Sequence, residues 1–194
     1  MVHLSRIYTR TGDDGVTHLG DGSSLPKNHP RVASYGTVDE LSSLIGMVLV
    51  DGAQGADAID PAHSEWLREI QNDLFDVGSD LCVPGEAGER LRITAAYVER
   101  VEKWIDQANA DLAPLDSFVL PGGNRAAAWL HMARTVCRRA ERHVVELFIH
   151  EEEGRVNPVV LKYLNRISDL LFVLARAAND GGRADVLWKP GAGR

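Results

Sequence analysis

The chain has 194 residues, of which 44% are hydrophobic and 25% charged, and its formal net charge is -7. These values are typical of one globular domain, and the acidic balance argues against nucleic-acid binding, which needs a basic surface. No apolar run is long enough to cross a membrane, and the N-terminus lacks the apolar segment of a signal peptide. We therefore expect a cytoplasmic protein whose two cysteines, Cys82 and Cys137, are reduced.

Residues 1–30 are predicted to form a long loop that binds an anion. Glycine, threonine, aspartate and cationic residues are crowded between Ile7 and Lys27 without helical periodicity. Glycine permits close approach of a ligand to the backbone, consecutive amides form an anion-binding concavity, and hydroxyl groups or cations complete the shell. A turn-rich, frayed terminus is the alternative explanation. The candidate residues are Thr9, Arg10, Thr11, Gly12, Asp13, Asp14, Gly15, Thr17 and Lys27.

Five segments with helical spacing of apolar residues follow, and they predict an all-α fold without a convincing strand. The predicted helices cover residues 31–50, 63–82, 94–112, 124–152 and 158–180. Thr94 is predicted to cap the third helix, while Asn157 caps the fifth and Pro158 occupies its first turn. Short linkers favour antiparallel neighbours. We expect a single domain, a five-helix bundle with ferritin-like up-down packing over residues 31–182, followed by a mobile tail at 183–194.

The fourth predicted helix carries a cluster of four arginines with a single acid, Glu141, among them. Like charges at i,i+4 spacing repel by about 0.2–0.5 kcal/mol unless an anion lies against them. The planar fork of arginine suits a phosphate or a carboxylate. The alternative is a solvated basic face, or ion pairs with Asp39, Glu40 or Asp169. The four arginines are Arg134, Arg138, Arg139 and Arg142.

Three further residues have both a structural and a functional explanation. Asp39 is an ordinary surface acid of the first helix, or the partner of an arginine on another helix or subunit. Asn165 is a satisfied buried amide, or a contact to a nucleotide. Phe118 precedes a Pro-Gly-Gly turn and is most simply a core residue, although it could also face a flat cofactor.

Three other site chemistries lack their sequence signatures. No G-x-x-x-x-G-K-[ST] phosphate-binding loop occurs in the chain. A ferritin-like di-metal site needs Glu-x-x-His on two helices, and a serine hydrolase of the α/β type needs G-x-S-x-G. Neither motif is present in the sequence.

Four motifs occur in order along the chain and together carry a resemblance. They span residues 8–17, 35–41, 118–142 and 165–169. In this order they resemble the ATP:cob(I)alamin adenosyltransferases of the propanediol-utilisation type, over residues 5–180. The resemblance implies a five-helix bundle, usually a homotrimer with active sites between adjacent subunits. It also implies transfer of the 5′-deoxyadenosyl group of ATP to cobalt(I) of cobalamin or another corrinoid, with release of triphosphate and with Mg²⁺ on the phosphates.

The same resemblance implies roles for the matched residues. Asp39 would pair with Arg134 across the subunit boundary, and Phe118 would lie under the corrin ring. Arg138, Glu141 and Asn165 would hold the nucleotide from the helices. The loop residues Thr9, Arg10, Thr11, Gly12, Gly15 and Thr17 would wrap the triphosphate together with Lys27, and we count Asp13, Asp14, Arg139 and Arg142 among the ATP contacts.

One departure from the family concerns charge in the loop. Arg10 and Asp14 stand where many relatives have lysine, so position 14 lacks a positive charge near the phosphates. A reductase and a cobalamin-dependent enzyme are the expected protein partners. The alternative function is a non-enzymatic helical regulator or chaperone that binds ATP or corrinoid without transferring the adenosyl group.

Overall fold

The structure, a computed structural model, describes residues 7–85 and 90–192. Parts of the predicted N-terminal loop, of the linker after the second helix and of the tail lie outside the described residues; they are residues 1–6, 86–89 and 193–194. The five helices are α1 (Pro30–Asp51), α2 (Pro61–Cys82), α3 (Ala95–Asn109), α4 (Arg125–His150) and α5 (Pro158–Ala178). A short 3₁₀ helix, Gly55–Asp57, lies between α1 and α2.

The helices form one bundle, which confirms the predicted fold class. Helix α1 packs between α2 and α4, α4 packs against α5, and α5 packs against α3. Trp129, near the start of α4, donates a 2.7 Å hydrogen bond to the Asp51 carboxylate at the end of α1, so these helices are antiparallel. Asn124 donates to the Ala178 carbonyl at 2.7 Å, and α4 and α5 are therefore antiparallel as well.

The core lies along the apolar stripes that the sequence predicts. Helix α5 is buried on most of its faces, because it is surrounded by its neighbours, and Leu164, Ile167 and Leu171 are completely inaccessible. Burial of each such side chain contributes about 1.5–3 kcal/mol relative to exposure. Both cysteines are free, and Cys137 is fully buried in α4, where burial raises the pKa of its thiol.

The predicted helix boundaries agree with the structure to within three residues. Asn157 caps α5 as predicted, because its side chain accepts a hydrogen bond from the Val159 amide at 3.0 Å. Thr94 occupies the N-cap position of α3, but its side chain makes no capping hydrogen bond. Helix α4 ends at His150, before Gly154, whose φ of 82° belongs to the following loop.

The expectation that the chain has no strand is wrong in one place. Strands β1 (Val16–His18) and β2 (Ser24–Pro26) form an antiparallel hairpin in which Thr17 is paired with Leu25. Each strand has three residues, too few for the alternation that identifies a strand in a sequence. The hairpin gives the predicted N-terminal loop a fixed base just before α1.

Part of the predicted tail packs against the bundle. Val119 and Leu187 form an isolated antiparallel bridge, and the Trp188 amide donates to the Phe118 carbonyl at 2.7 Å. The Asp185 carboxylate is only 4% exposed and is paired with Arg176 of α5. Residues 185–188 are thus attached to the loop between α3 and α4, where a mobile tail was expected.

Candidate active site

The N-terminal loop turns back on itself, so that Lys27 lies beside Gly12 and two threonine hydroxyls meet. Thr9 and Thr11 share a 2.8 Å hydrogen bond between their hydroxyls, and the Lys27 amide donates to the Gly15 carbonyl at 2.8 Å. A Cβ added at Gly12 would lie 3.0 Å from the Lys27 ammonium, so the Lys27 side chain reaches close to the backbone of the loop. The structure therefore places Lys27 beside the loop, as the prediction requires.

The remaining loop candidates are accessible from solvent. Arg10 has a φ of 63°, an uncommon conformation for a residue other than glycine, and its guanidinium lies 5.7 Å from the centre of the Tyr8 ring. Asp13 and Asp14 are exposed, while Thr17 is half-buried in β1. The loop thus presents backbone amides and side chains of both charges to solvent.

The hairpin that carries the loop is fixed to the end of α2 through Gly20. The Gly20 amide donates to the Cys82 sulfur at 3.1 Å. A Cβ at Gly20 would lie 2.7 Å from the Val83 Cγ2 methyl, so only glycine allows this contact. Leu19 is buried beside it. The loop is consequently held next to the groove between α1 and α2.

This α1–α2 groove contains Asp39. The groove has a volume of about 320 Å³, and its walls are mostly apolar. Phe75 lines it with 72% of its surface exposed. Asp39 is exposed at the groove, and within the part of the chain that the structure describes its carboxylate makes no hydrogen bond or ion pair. The groove therefore offers an unpartnered negative charge beside apolar surface.

Arg134 and Arg138 lie on the face of α4 that is turned towards α5. They line a cavity of about 200 Å³ together with Ser168, Asp169 and Phe172 of α5. Among residues 7–85 and 90–192, neither guanidinium has a carboxylate partner, and the buried Nε of Arg134 has no hydrogen-bond partner at all. Burial, followed by the charge of Arg138, lowers the pKa of Arg134. Such a pair of cations is suited to an anionic ligand.

Asp169 is the one acid at this cavity, and burial raises the pKa of its carboxyl. Next to the cavity, Asn165 donates to the Glu141 carboxylate at 3.0 Å. Arg166 donates to the Asn165 side-chain oxygen at 2.6 Å, and Arg166 is held in turn by Glu102 of α3 at 2.8 Å. The predicted contacts Glu141 and Asn165 are therefore fixed in orientation by a hydrogen-bond network.

The other two arginines of the four-arginine cluster do not line this cavity. Arg139 is ion-paired with Glu40 of α1 in the same chain, which matches one of the partners considered for the cluster. Arg142 is exposed and donates to the Arg138 carbonyl at 3.1 Å. Of the four predicted arginines, the structure thus brings together two and directs two elsewhere, while the role of Arg139 and Arg142 in ATP binding stays a prediction.

Phe118 is not a core residue, so the simpler explanation of its presence is wrong. Its side chain is 76% exposed and lines a cavity of about 690 Å³ between the α3–α4 loop, α5 and the tail. Trp188 lies against it with ring centres 6.1 Å apart. Arg134 and Phe172 line this cavity and also the smaller one between α4 and α5. The apolar cavity and the arginine cavity therefore adjoin.

Sequence reasoning missed Trp188 and Phe172 as residues of this region. Phe172 lies on α5, a strongly apolar helix, where its spacing does not distinguish a cavity wall from the core. Trp188 belongs to a tail whose composition predicts no structure, and its contacts come from residues about 70 positions away, since Ser117 donates to its carbonyl at 2.8 Å. No local signal identifies such a contact.

Two further properties concern the described residues. Within them, no group of three or more His, Cys, Asp and Glu side chains has the arrangement of a metal site. None of their helices has the length and apolar character that crossing a bilayer requires.

Comparisons with known proteins agree over almost the whole chain. Residues 7–178 match the family model described as cobalamin adenosyltransferase. A corrinoid adenosyltransferase of Mycobacterium bovis is 49% identical over 196 aligned positions, covering 100% of this chain and 97% of the relative. A cobalamin adenosyltransferase of Cupriavidus metallidurans is 48% identical, with 96% and 95% covered.

A solved structure gives the same result. It is a variant PduO-type ATP:corrinoid adenosyltransferase from Lactobacillus reuteri, complexed with cobalamin and ATP. The two structures superpose with a TM-score of 0.84 at 37% identity, and 95% of this chain and 97% of that chain are covered. The resemblance found in the sequence motifs is confirmed, and the chain belongs to the cobalamin adenosyltransferase family.

Proposed function

We propose that this chain transfers the 5′-deoxyadenosyl group of ATP to cobalt(I) of cobalamin. The observation that carries the proposal is the junction of two cavities. Arg134 and Arg138, which lack carboxylate partners among the described residues, adjoin a large apolar cavity beneath the exposed ring of Phe118. An anionic triphosphate and a flat corrin ring are the two ligands that these neighbouring surfaces suit. Family membership and the ATP- and cobalamin-bound relative support the same assignment.

The reaction needs no nucleophile from the protein. Cobalt(I) supplies an electron pair to C5′ of the ribose, a cobalt–carbon bond forms, and the carbon–oxygen bond to the triphosphate breaks. The protein has to orient C5′ and to stabilise the negative charge that develops on the leaving group. Arginine side chains and backbone amides serve that purpose because they are positioned before the reaction begins.

The N-terminal loop and Lys27 hold the triphosphate, and Arg138 adds charge from α4. Glu141 and Asn165 bind the nucleoside part of ATP. Their hydrogen-bond network orients both side chains for this contact. Mg²⁺ would bind the phosphates and offset part of their negative charge, since this ion commonly pairs with substrate phosphates. The exposed Asp13 and Asp14 lower the net positive charge of the loop.

The active site is completed by a second subunit, and the assembly is a homotrimer. Among the described residues, Asp39 in the α1–α2 groove has no partner, and the loop lies beside it. Arg134 and Arg138 in the α4–α5 cavity likewise have no carboxylate partner there. The two surfaces share no described lining residue, and we propose that Asp39 of one chain pairs with Arg134 of the next. A head-to-tail contact of this kind closes into a ring when its rotation allows it.

Phe118 controls the axial ligand of the cobalt. Reduction of cobalt(II) is difficult while a lower ligand is bound, and an aromatic ring on that face excludes water and the lower base. Steric access and polarity around a metal are general means by which proteins tune its potential. A reductase supplies the electron that reduces cobalt(II), and a cobalamin-dependent enzyme accepts the adenosylcobalamin. We propose that both enzymes work with this chain in the cytoplasm.

An anaerobic assay tests the proposal directly. Purified protein is mixed with chemically reduced cob(I)alamin, ATP and Mg²⁺, and both the adenosylcobalamin spectrum and released triphosphate are measured. The proposed reaction yields the two products in equal amounts. Binding of ATP and corrinoid without either product would support the non-enzymatic alternative, which the comparisons do not favour.

A further inference from the structure

Three residues join the tail to the end of α5, and we call them the tail clamp: Arg176, Asn179 and Asp185. Arg176 Nε donates to Asp185 Oδ2 at 2.9 Å, and Asn179 Nδ2 donates to Asp185 Oδ1 at 3.0 Å. The Arg176 and Asp185 side chains are 6% and 4% exposed. Both partners donate, so a carboxylate, with two acceptor oxygens, satisfies them together.

The tail clamp also holds both ends of the loop that carries Phe118, residues 110–124. Arg176 Nη2 donates to the Ala113 carbonyl near the start of this loop at 2.8 Å. At its end, Gly123 has a φ of 101°, and a Cβ there would lie 2.5 Å from the Asn179 side-chain oxygen. Glycine is therefore required where the loop passes over the clamp.

The tail beyond Asp185 grips the middle of the same loop. The Leu120 amide donates to the Val186 carbonyl at 2.8 Å, and the Trp188 amide donates to the Phe118 carbonyl at 2.7 Å. One of these bonds is made by the Phe118 carbonyl itself and the other by a residue two positions later. The Phe118 side chain is 76% exposed. The direction of the ring is thus set by backbone contacts that depend on where the tail lies.

We infer that Asp185 is a positioning residue for Phe118, acting through the tail strand that it anchors. The inference rests on the proposed function, because the task assigned to Phe118 is to exclude the lower ligand of cobalt. Asp185 is buried and lines neither the Phe118 cavity nor the arginine cavity. Its carboxylate keeps residues 186–188 against the loop, and the loop in turn fixes the position of the Phe118 ring at the cavity.

The test uses the full-length protein and compares Asp185→Asn with Asp180→Asn. Asp180 is a matched control in the same segment, because its ion pair with Arg183 is solvent-exposed, at 61% and 75% for the two side chains. Asp185→Asn should remove the exchange protection of the Leu120 and Trp188 amides, whereas Asp180→Asn should leave it intact. Hydrogen exchange measures this without any cobalamin present.

Four kinetic and spectroscopic readouts separate positioning from general loss of structure. Asp185→Asn should lower turnover that starts from cob(II)alamin and reductant by at least about tenfold, since misplacing a positioned group by about 1 Å can cost about a hundredfold. Turnover from pre-reduced cob(I)alamin should fall much less, and KM for ATP should be unchanged. The absorption spectrum of bound cob(II)alamin should lose the component that comes from cobalt(II) without a lower axial ligand.

The possible outcomes are distinguishable. Equal losses in the two turnover assays, or an unchanged cob(II)alamin spectrum in Asp185→Asn, would overturn the positioning role while the proposed function stands. A wild-type protein that makes no adenosylcobalamin would instead overturn the proposed function and the inference with it. If Asp185→Asn does not fold, the double variant Arg176→Gln/Asp185→Asn removes both buried charges, and the same unequal loss is expected from it.

Discussion

Arg31 at the start of α1 and Arg134 in the middle of α4 differ in whether their guanidinium groups have partners. Arg31 is 1% exposed, and its guanidinium donates to Glu151 at 2.9 Å and to the Leu81 carbonyl at 2.7 Å. Arg134 is half-buried, yet its inaccessible Nε has no partner. A buried charge without partners is costly. This contrast indicates that Arg134 and Arg138 are arranged to bind an anion from outside the chain, whereas Arg31 joins three parts of the bundle.

The largest expected effect is on stability. Arg31→Met should lower the free energy of unfolding by about 3–5 kcal/mol, because it leaves the Glu151 carboxylate short of its buried partner. Arg134→Met, the matched change in the cavity, should leave the fold of each chain nearly as stable, because Arg134 pairs with no described carboxylate of its own chain; its cost should fall on subunit association through Asp39. Urea denaturation of both variants checks this, and equal losses would remove the distinction between the two environments.

The proposed pairing of Asp39 with Arg134 comes next. Removing one member of a close interfacial charge pair costs about 2–5 kcal/mol, so Asp39→Asn should weaken corrinoid binding, lower turnover and loosen the trimer. A double-mutant cycle with Arg134→Gln should give a coupling energy of about 1.5 kcal/mol or more. Strictly additive losses would show that the two side chains do not meet.

Arg138→Ala should weaken use of ATP without unfolding the protein. A hydrogen bond to a charged group contributes about 1.5–3 kcal/mol, which corresponds to a loss of about 10- to 150-fold in kcat/KM. Arg68→Ala, a change at an exposed arginine of α2, serves as the control and should behave as wild type. Steady-state kinetics that match wild type in Arg138→Ala would make the arginine cluster a solvated face.

Phe118→Ala should have the smallest effect on stability, about 0.5 kcal/mol or less, because the ring is mostly exposed. Its effect should instead be selective for chemistry. ATP should bind normally, while turnover from cob(II)alamin should fall much more than turnover from pre-reduced cob(I)alamin. A lowered melting temperature with equal losses in both assays would return Phe118 to a structural role.

The fold was largely predictable because helical periodicity is a local property. The stripe of α5 and its cap at Asn157 identify that helix within two residues at each end. The hairpin before α1 was missed because its strands are too short to show alternation. Arg138 and Arg139 are neighbours in sequence, but successive side chains of an α-helix point about 100° apart. Arg138 therefore faces the α5 cavity, whereas Arg139 faces Glu40.

The candidate site was predictable in part from local features. The loop followed from its composition and the α4 arginines from their like-charge spacing, whereas the roles of these residues and of Asp39 came only from the ordered motifs and stay predictions. The exposure of Phe118 and the position of Trp188 were not predictable, because both depend on bonds between the α3–α4 loop and the tail. Such long-range pairing leaves no periodic trace in either segment.

Mixing two impaired variants tests the central claim, that each active site is built from two chains. Asp39→Asn and Arg138→Ala proteins are unfolded, combined in equal amounts and refolded together, and adenosylcobalamin formation is compared with each variant refolded alone. If the α1–α2 groove of one chain faces the α4–α5 cavity of the next, about a quarter of the interfaces in random head-to-tail rings carry both native residues. The account predicts that activity returns to about that fraction of wild type. A mixture no more active than its components would contradict it.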